Sequence, residues 1–307
     1  MIHDPLANPL FLPSLARICG LLLAGAILVL AVERRRLRHP ATLRRSVLVL
    51  RVGSWAVMAP TFVLAVFAGG AVALLLVLFL TVQGLREFGS VTGLDPAQRR
   101  LLLALGVAAV TVAAVLPSAF GVLPIGGFLV LTAAALLRGG VESSYRDLTV
   151  SLFGFMYLPL MLGFLPLIGH GLPGGTAALL VVGVCVALSD VCAFCVGTLV
   201  GGPRLAPRVS PNKTVAGAAG NILGAYLGLA IMAGLAPPDW PVAITLALPV
   251  VIAVASIWGD LLESLVKRAF AVKDAGTLVP GFGGILDRID SLLLAMPLAY
   301  LALRLAG

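Results

Sequence analysis

The stretch TAALLVVGVCVALSDVCAFCVGTLV, Thr176–Val200, decides the fold. Asp190 is its only charged residue, and as a helix it is long enough to cross a hydrocarbon core of about 30 Å. A charge at the bilayer centre costs about 2.5–3.5 kcal/mol on insertion scales, so Asp190 should face the protein interior. There it either serves a site or hydrogen-bonds a neighbouring helix. Comparable apolar stretches recur outward in both directions, giving spans at roughly 10–32, 54–69, 70–85, 101–117, 121–137, 150–169, 176–200, 216–234, 239–258 and 290–306. The second and third meet at Gly69-Gly70 and read either as two short helices or as one long tilted helix. With 60% hydrophobic and 11% charged residues, the chain lies far outside the soluble range of roughly 45–50% apolar and about 25% charged. The expected fold is all-α, a polytopic transmembrane helical bundle of about 9–10 spans.

The charges are distributed unevenly. With ten spans, the loops 33–53, 86–100, 138–149, 201–215 and 259–289 share one face and hold nearly every Lys and Arg; only Arg17 and Arg304 lie elsewhere. The opposite loops, near 118–120, 170–175 and 235–238, hold none. The positive-inside rule places the basic face in the cytoplasm. Anionic lipid headgroups account for a net charge of +8, so no nucleic-acid partner is expected. The segment 33–51 reads either as an amphipathic surface helix, with Leu37, Leu43 and Val47 toward lipid, or as a basic loop. The first span follows no basic n-region and is read as retained. Cys19, Cys185, Cys192 and Cys195 all lie in apolar segments, and His3, His39 and His170 are scattered. Neither set makes a metal cluster or a nucleophilic triad. One membrane domain is expected, with N-terminal helices over 1–150 and a C-terminal catalytic region over 151–307.

Chemistry concentrates near the C-terminus. Of thirteen acidic residues, Asp260, Glu263, Asp274, Asp287 and Asp290 fall within GDLLESLVKRAFAVKDAGTLVPGFGGILDRIDSLLL, Gly259–Leu294, interleaved with Lys267, Arg268, Lys273 and Arg288. On a helix Asp260, Glu263 and Lys267 share a face, and Asp287 and Asp290, at i and i+3, project the same way. Such hard oxygen ligands suit Mg²⁺, which takes one or two carboxylates and fills its other positions with water and substrate phosphates. The cations can neutralise further phosphate oxygens. The turn Pro280-Gly281-Phe282-Gly283-Gly284 is expected to bring backbone N–H groups close to a phosphate. Short loops also carry mixed charges, and Gly-Pro turns also merely turn.

Ser264, Lys267-Arg268, Lys273-Asp274, Pro280-Gly281-Phe282-Gly283-Gly284 and Asp287-Arg288-Ile289-Asp290 together resemble the signature of the phosphatidate cytidylyltransferase family. A second block, Ser210-Pro211-Asn212-Lys213-Thr214-Val215-Ala216-Gly217, resembles the family's Ser-Pro-Lys-Lys-Thr-Trp-Glu-Gly. Asp190-Val191-Cys192-Ala193-Phe194 resembles its Asp-x-x-Ala-Tyr, and weaker similarity includes Arg86-Glu87-Phe88. Phe282 stands where the family usually has His, Val215-Ala216 where it has Trp-Glu, and Asn212 where it has Lys.

The resemblance implies a transferase in which a phosphate oxygen of phosphatidic acid attacks the α-phosphorus of CTP, giving CDP-diacylglycerol and pyrophosphate. It implies Asp287, Asp290, Asp260 and Lys267 as catalytic residues, and Asp287, Asp290, Asp190 and Asp260 as ligands of Mg²⁺ or Mn²⁺. Ser210, Lys213, Thr214, Arg268, Lys273, Gly283, Gly284 and Arg288 would bind substrate. Catalysis would rest on positioning and charge neutralisation. The expected location is a bacterial inner membrane with the site facing the cytoplasm, with membrane lipids as partners; a homodimer is open. Two alternatives remain: a CTP-dependent kinase of a long-chain lipid alcohol, and a non-catalytic lipid-binding protein.

Overall fold

The computed structural model describes residues 4–36, 46–138, 140–281 and 283–306. Leu37 and Leu43 of the basic segment, and Phe282 of the glycine turn, lie outside the described residues. In chain order the helices are α1 (Phe11–Arg36), α2 (Val47–Ala68), α3 (Gly70–Thr92), α4 (Pro96–Val115), α5 (Leu123–Leu136), α6 (Val141–Phe155), α7 (Phe164–Gly171), α8 (Gly175–Val200), α9 (Val215–Ile231), α10 (Val242–Ala269) and α11 (Leu286–Ala306). Each of the ten spans read from the sequence falls on one of these helices or a continuous run of them. Among the described residues, eight helical segments are long and apolar enough to cross a membrane. The protein is an integral, multi-pass membrane protein. Two helices fall outside those eight: α9, a shorter apolar helix of 17 residues, and α11, which carries Asp287, Arg288, Asp290 and Arg304.

Gly69-Gly70 separates two helices, which removes the single tilted helix from consideration. Their φ values of 64° and 31° fall where residues with a Cβ are disfavoured, so the chain breaks and turns there. The turn brings Arg51, near the start of α2, and Glu87, near the end of α3, to the same segment of chain around 280–286. The sixth span starts earlier than read, at Val141, and continues to Gly171. A π-helical turn, Met156–Leu160, joins α6 to α7, and Pro159 within it cannot supply a helical N–H.

Between apolar helices in lipid, hydrophobic burial gives no net drive, and close packing of small residues takes its place. The α8–α9 pair is built this way. A Cβ added at Gly220, Gly224 or Gly228 would lie 2.7 Å from main-chain atoms at Cys192, Leu188 or Cys185 respectively. Helix α9 therefore rides directly on the backbone of α8, which holds Asp190.

The two ends of the bundle differ as the charges predict. At one end Arg138 pairs with Asp95 at 2.7 Å and Asp147 at 3.5 Å, the Arg146 guanidinium lies 5.9 Å from the Phe270 ring centre, and Lys213 pairs with Asp260. These contacts join four of the five basic loops. Asp95 also caps α4, and the backbone N–H groups of Gln98 and Ala97 hold its carboxyl below the usual range, with Arg138 adding to the effect. At the other end Arg17 donates to the carbonyls of Ile231 (2.9 Å) and Ala233 (2.6 Å), satisfying the C-terminus of α9. One of the two cations that stand apart from the basic loops thus has a structural partner. Residues 201–215, read as a plain loop, contain an antiparallel hairpin, β1 (Arg204–Ala206) and β2 (Ser210–Thr214).

Candidate active site

The charged residues of the basic end fall into two groups. The first is closed on itself. Lys267 Nζ, on α10, lies 2.6 Å from Glu263 Oε2 and 2.7 Å from Asp287 Oδ1. Asp287 also accepts from the backbone N–H groups of Gly284 (2.7 Å) and Ala275 (3.1 Å). This is a helix-start carboxylate of α11 binding the loop before it, the arrangement by which acidic side chains satisfy free amides. Glu263 and Asp287 are buried, so the cation between them balances charges that would be costly alone.

The glycine turn departs from expectation. Gly283 N–H donates to the Val279 carbonyl at 3.0 Å, the reverse bond is 2.7 Å, and Gly284 N–H donates to Asp287. The two amides expected to face a phosphate are satisfied within the protein. Glycine is required for shape instead: Gly281 and Gly283 have φ of 77° and 97°, and a Cβ at Gly283 would lie 2.6 Å from Asp287 Oδ2. The turn is held from outside by Arg51 Nε to the Gly281 carbonyl (3.1 Å), by Ser54 Oγ to the Pro280 carbonyl (2.9 Å) and by Glu87.

The second group is open. Asp190 on α8 accepts from Ser291 Oγ at 3.2 Å, and the Ser291 N–H donates to Asp290 Oδ1 at 2.8 Å, so one serine on α11 ties two carboxylates together. Asp190 is accessible yet surrounded, within electrostatic reach of Asp260, Lys213 and Arg288. Asp290 is half-buried among Asp260, Glu263, Asp190 and Arg288. Gly259 makes this possible: a Cβ there would come within 3.1 Å of Ser291 Cα, so α10 touches the main chain of α11 and sets Asp260 beside Asp290. Lys213 Nζ, from β2, approaches Asp260 Oδ2 to 2.7 Å. Tyr157, on the π-turn, buries its hydroxyl without a hydrogen-bond partner among the described residues, in the electrostatic field of Asp290, Glu263 and Asp260. π-turns recur at functional sites.

Of the remaining sequence candidates, Arg268 and Lys273 are exposed and Arg288 and Ser210 half-buried. Thr214 is buried and caps α9, its Oγ1 accepting from Gly217 N–H at 3.0 Å, so its oxygen is engaged by the fold. Asp287 and Asp290 have different surroundings: Asp287 faces Lys267 and the loop, whereas Asp290 faces the open group. Sequence reading passed over Ser291 and Tyr157; it counted Glu263 in the acidic cluster and Glu87 in the weaker similarity but gave neither a role. Glu87 had a readable signal. The third span ends at Thr92 rather than 85, which makes Glu87 a carboxylate inside an apolar helix, as Asp190 is.

Among the described residues no three His, Cys, Asp or Glu side chains gather closely enough to hold a metal ion. The donor set nevertheless suits a hard divalent cation that needs few protein ligands. Asp190 and Asp290 are two carboxylates linked through one serine, and Mg²⁺ is commonly held by one or two carboxylates plus substrate phosphates.

Residues 49–306 match the model of the cytidylyltransferase family. The chain belongs to that family. It is 40% identical over 179 residues to the phosphatidate cytidylyltransferase of Brucella suis biovar 1 (strain 1330), covering 57% of this chain and 63% of that one. It is 42% identical over 123 residues to the phosphatidate cytidylyltransferase of Bacillus subtilis (strain 168), covering 39% and 46%. The protein of that name from Mycobacterium leprae (strain TN) is 35% identical over 174 residues, covering 55% and 54%. The chain thus matches between 46% and 63% of the length of these relatives.

Proposed function

We propose that the protein is a CTP:phosphatidate cytidylyltransferase, forming CDP-diacylglycerol and pyrophosphate for phospholipid synthesis. The observation that carries the reading is the open carboxylate group, Asp190 and Asp290 tied through Ser291 with Asp260 and Lys213 beside them, in a chain of this family. Asp190 and Asp290 would hold Mg²⁺ or Mn²⁺, with Asp260 adjacent. When bound, that ion supplies neutralisation of phosphoryl oxygens.

The protein's own residues supply binding and orientation. Lys213, Arg268, Lys273 and Arg288 would hold the phosphates of the two substrates at the basic end. An oxygen of the phosphatidic acid phosphate forms a bond to the α-phosphorus of CTP while the bond from that phosphorus to the β-phosphate oxygen breaks. A phosphate monoester is already a nucleophile near neutral pH, so no Ser, Cys or His nucleophile is needed. Lys267 enters differently from the sequence expectation. Held between Glu263 and Asp287, it would set the position of the turn and of α11 rather than meet a phosphate.

The deciding test is incorporation of radiolabelled CTP into lipid by purified protein with phosphatidic acid. Labelled CDP-diacylglycerol with released pyrophosphate is expected. CDP release with a phosphorylated lipid alcohol would establish the kinase instead, and no turnover with either lipid would favour a lipid-binding role. The site should face the cytoplasm of the bacterial inner membrane. Single cysteines near 205–212 and 270–280 should therefore react from the cytoplasmic side, and those near 172 and 237 only from outside; the opposite pattern would overturn this orientation.

A further inference from the structure

Glu87 lies on α3, far in sequence from the acidic segment, and is 6% exposed. Its Oε1 accepts the N–H of Ile285 at 3.0 Å and its Oε2 accepts the N–H of Leu286 at 2.8 Å. Gln83, one helical turn earlier, donates to Oε1 at 3.1 Å and fixes the carboxylate. Two glycines leave it room: a Cβ at Gly276 or Gly284 would lie 2.9 or 2.7 Å from Glu87 Cδ. The first N–H groups of a helix have no partner within it. At the start of α11 the Leu286 N–H, with the Ile285 N–H just before it, is satisfied by a charge from another helix, at the end of the dipole that favours an anion. Hydrogen bonds to an ionised acceptor are roughly twice as strong as neutral ones.

We propose that Glu87 is a positioning residue for the active site: its carboxylate fixes the first turn of α11 and so the direction in which Asp290 and Arg288 are presented. The catalytic part of this role rests on the cytidylyltransferase reading above; the structural part does not. Asp290 and Arg288 follow Leu286 within about one turn, so a rotation at Leu286 moves both. Asp287 binds the same loop through the Gly284 N–H, and Glu87 adds a hold on the helix start from a different helix.

The test uses the full-length protein with Glu87→Gln, which keeps size but replaces one acceptor by a donor that opposes an N–H. Hydrogen exchange should rise in peptides covering 284–291 and stay unchanged in α8 and α9. The kcat with CTP and phosphatidic acid should fall about tenfold while the KM for CTP changes less than about twofold, one decade corresponding to the loss of one charge-assisted bond. Glu87→Asp, which keeps the charge, should recover part of the rate. Gln83→Leu provides a second route should Glu87→Gln not fold, and should raise exchange over the same peptides to a smaller degree. Unchanged exchange at 284–291, or an equal rise throughout the protein, would overturn the proposal. Should wild-type protein show no turnover, the exchange experiment still decides the structural part.

Discussion

The two charged groups at the basic end contain similar residues and behave differently. Around Asp287 the carboxylate meets one ammonium and two amides, Glu263 shares the same ammonium, and Glu87 caps the helix beside it. Around Asp290, Asp190 is tied in through Ser291 and Asp260 lies close by, with Lys213 paired to Asp260 and Arg288 among the surrounding charges. Like charges that stay together repel unless a cation joins them. In the function proposed above, the closed group holds the fold and the open group would receive a cation and phosphates. A carboxylate near the start of a helix is not a ligand by location; what its oxygens already accept decides its role.

The largest expected effect tests the open group. Asp290→Asn or Asp190→Asn should reduce nucleotide transfer to background, while the melting temperature of the purified protein stays the same or rises as repulsion is relieved. Chelating Mg²⁺ and Mn²⁺ should do the same to the unaltered protein. Full turnover in chelator, or a marked loss of stability in Asp290→Asn, would show that the open group is structural after all.

Asp287→Asn probes the closed group and should separate from Asp290→Asn in stability. Breaking a buried ion pair from one side costs about 3–5 kcal/mol, but Glu263 would still pair with Lys267, so about 1–3 kcal/mol is expected. Activity should fall through displacement of the loop. A denaturation midpoint equal to wild type would place Asp287 with the open group and dissolve the distinction.

The sequence carried the membrane fold almost whole, since apolar length and loop charge depend on local composition alone. It located the acidic segment for the same reason: charges are rare enough in this chain for a cluster to stand out. What it did not carry was partnership. Asp287 and Asp290 look equivalent at i and i+3, and only the loop folding back through Val279 and Gly283 shows that Asp287 is occupied. The glycines looked like a phosphate cradle because glycine permits close approach and positive φ alike; here Gly281 and Gly283 supply positive φ, and Gly284 leaves room for Glu87. Arg51, Ser54 and Glu87 reach the turn across more than two hundred or nearly two hundred positions of chain, and no local pattern announces such contacts.

Lys213 offers a milder contrast. Its ammonium pairs with Asp260 at 2.7 Å, with the two side chains 22% and 37% exposed, and a partly exposed pair contributes about 0–1 kcal/mol. Lys213→Met should therefore leave the melting temperature nearly unchanged. It should raise the KM for CTP about tenfold, the loss expected for one charge-assisted contact to a phosphate. A large fall in stability with an unchanged KM would move Lys213 into the closed group.

The smallest effect concerns Ser291, which is 3% exposed and joins the two open carboxylates through different atoms. Ser291→Ala removes the hydroxyl that donates to Asp190 and keeps the N–H that donates to Asp290. A single hydroxyl hydrogen bond contributes about 0.5–1.5 kcal/mol, more when the acceptor is charged, which corresponds to a loss of about two- to tenfold in turnover. If Asp190 and Asp290 receive one cation together, freeing Asp190 weakens the hold on that cation, and raising Mg²⁺ should restore most of the rate. Were each carboxylate to act alone, the loss would persist at every Mg²⁺ concentration. A titration of Ser291→Ala with Mg²⁺ thus reads directly whether the serine-linked pair works as one site.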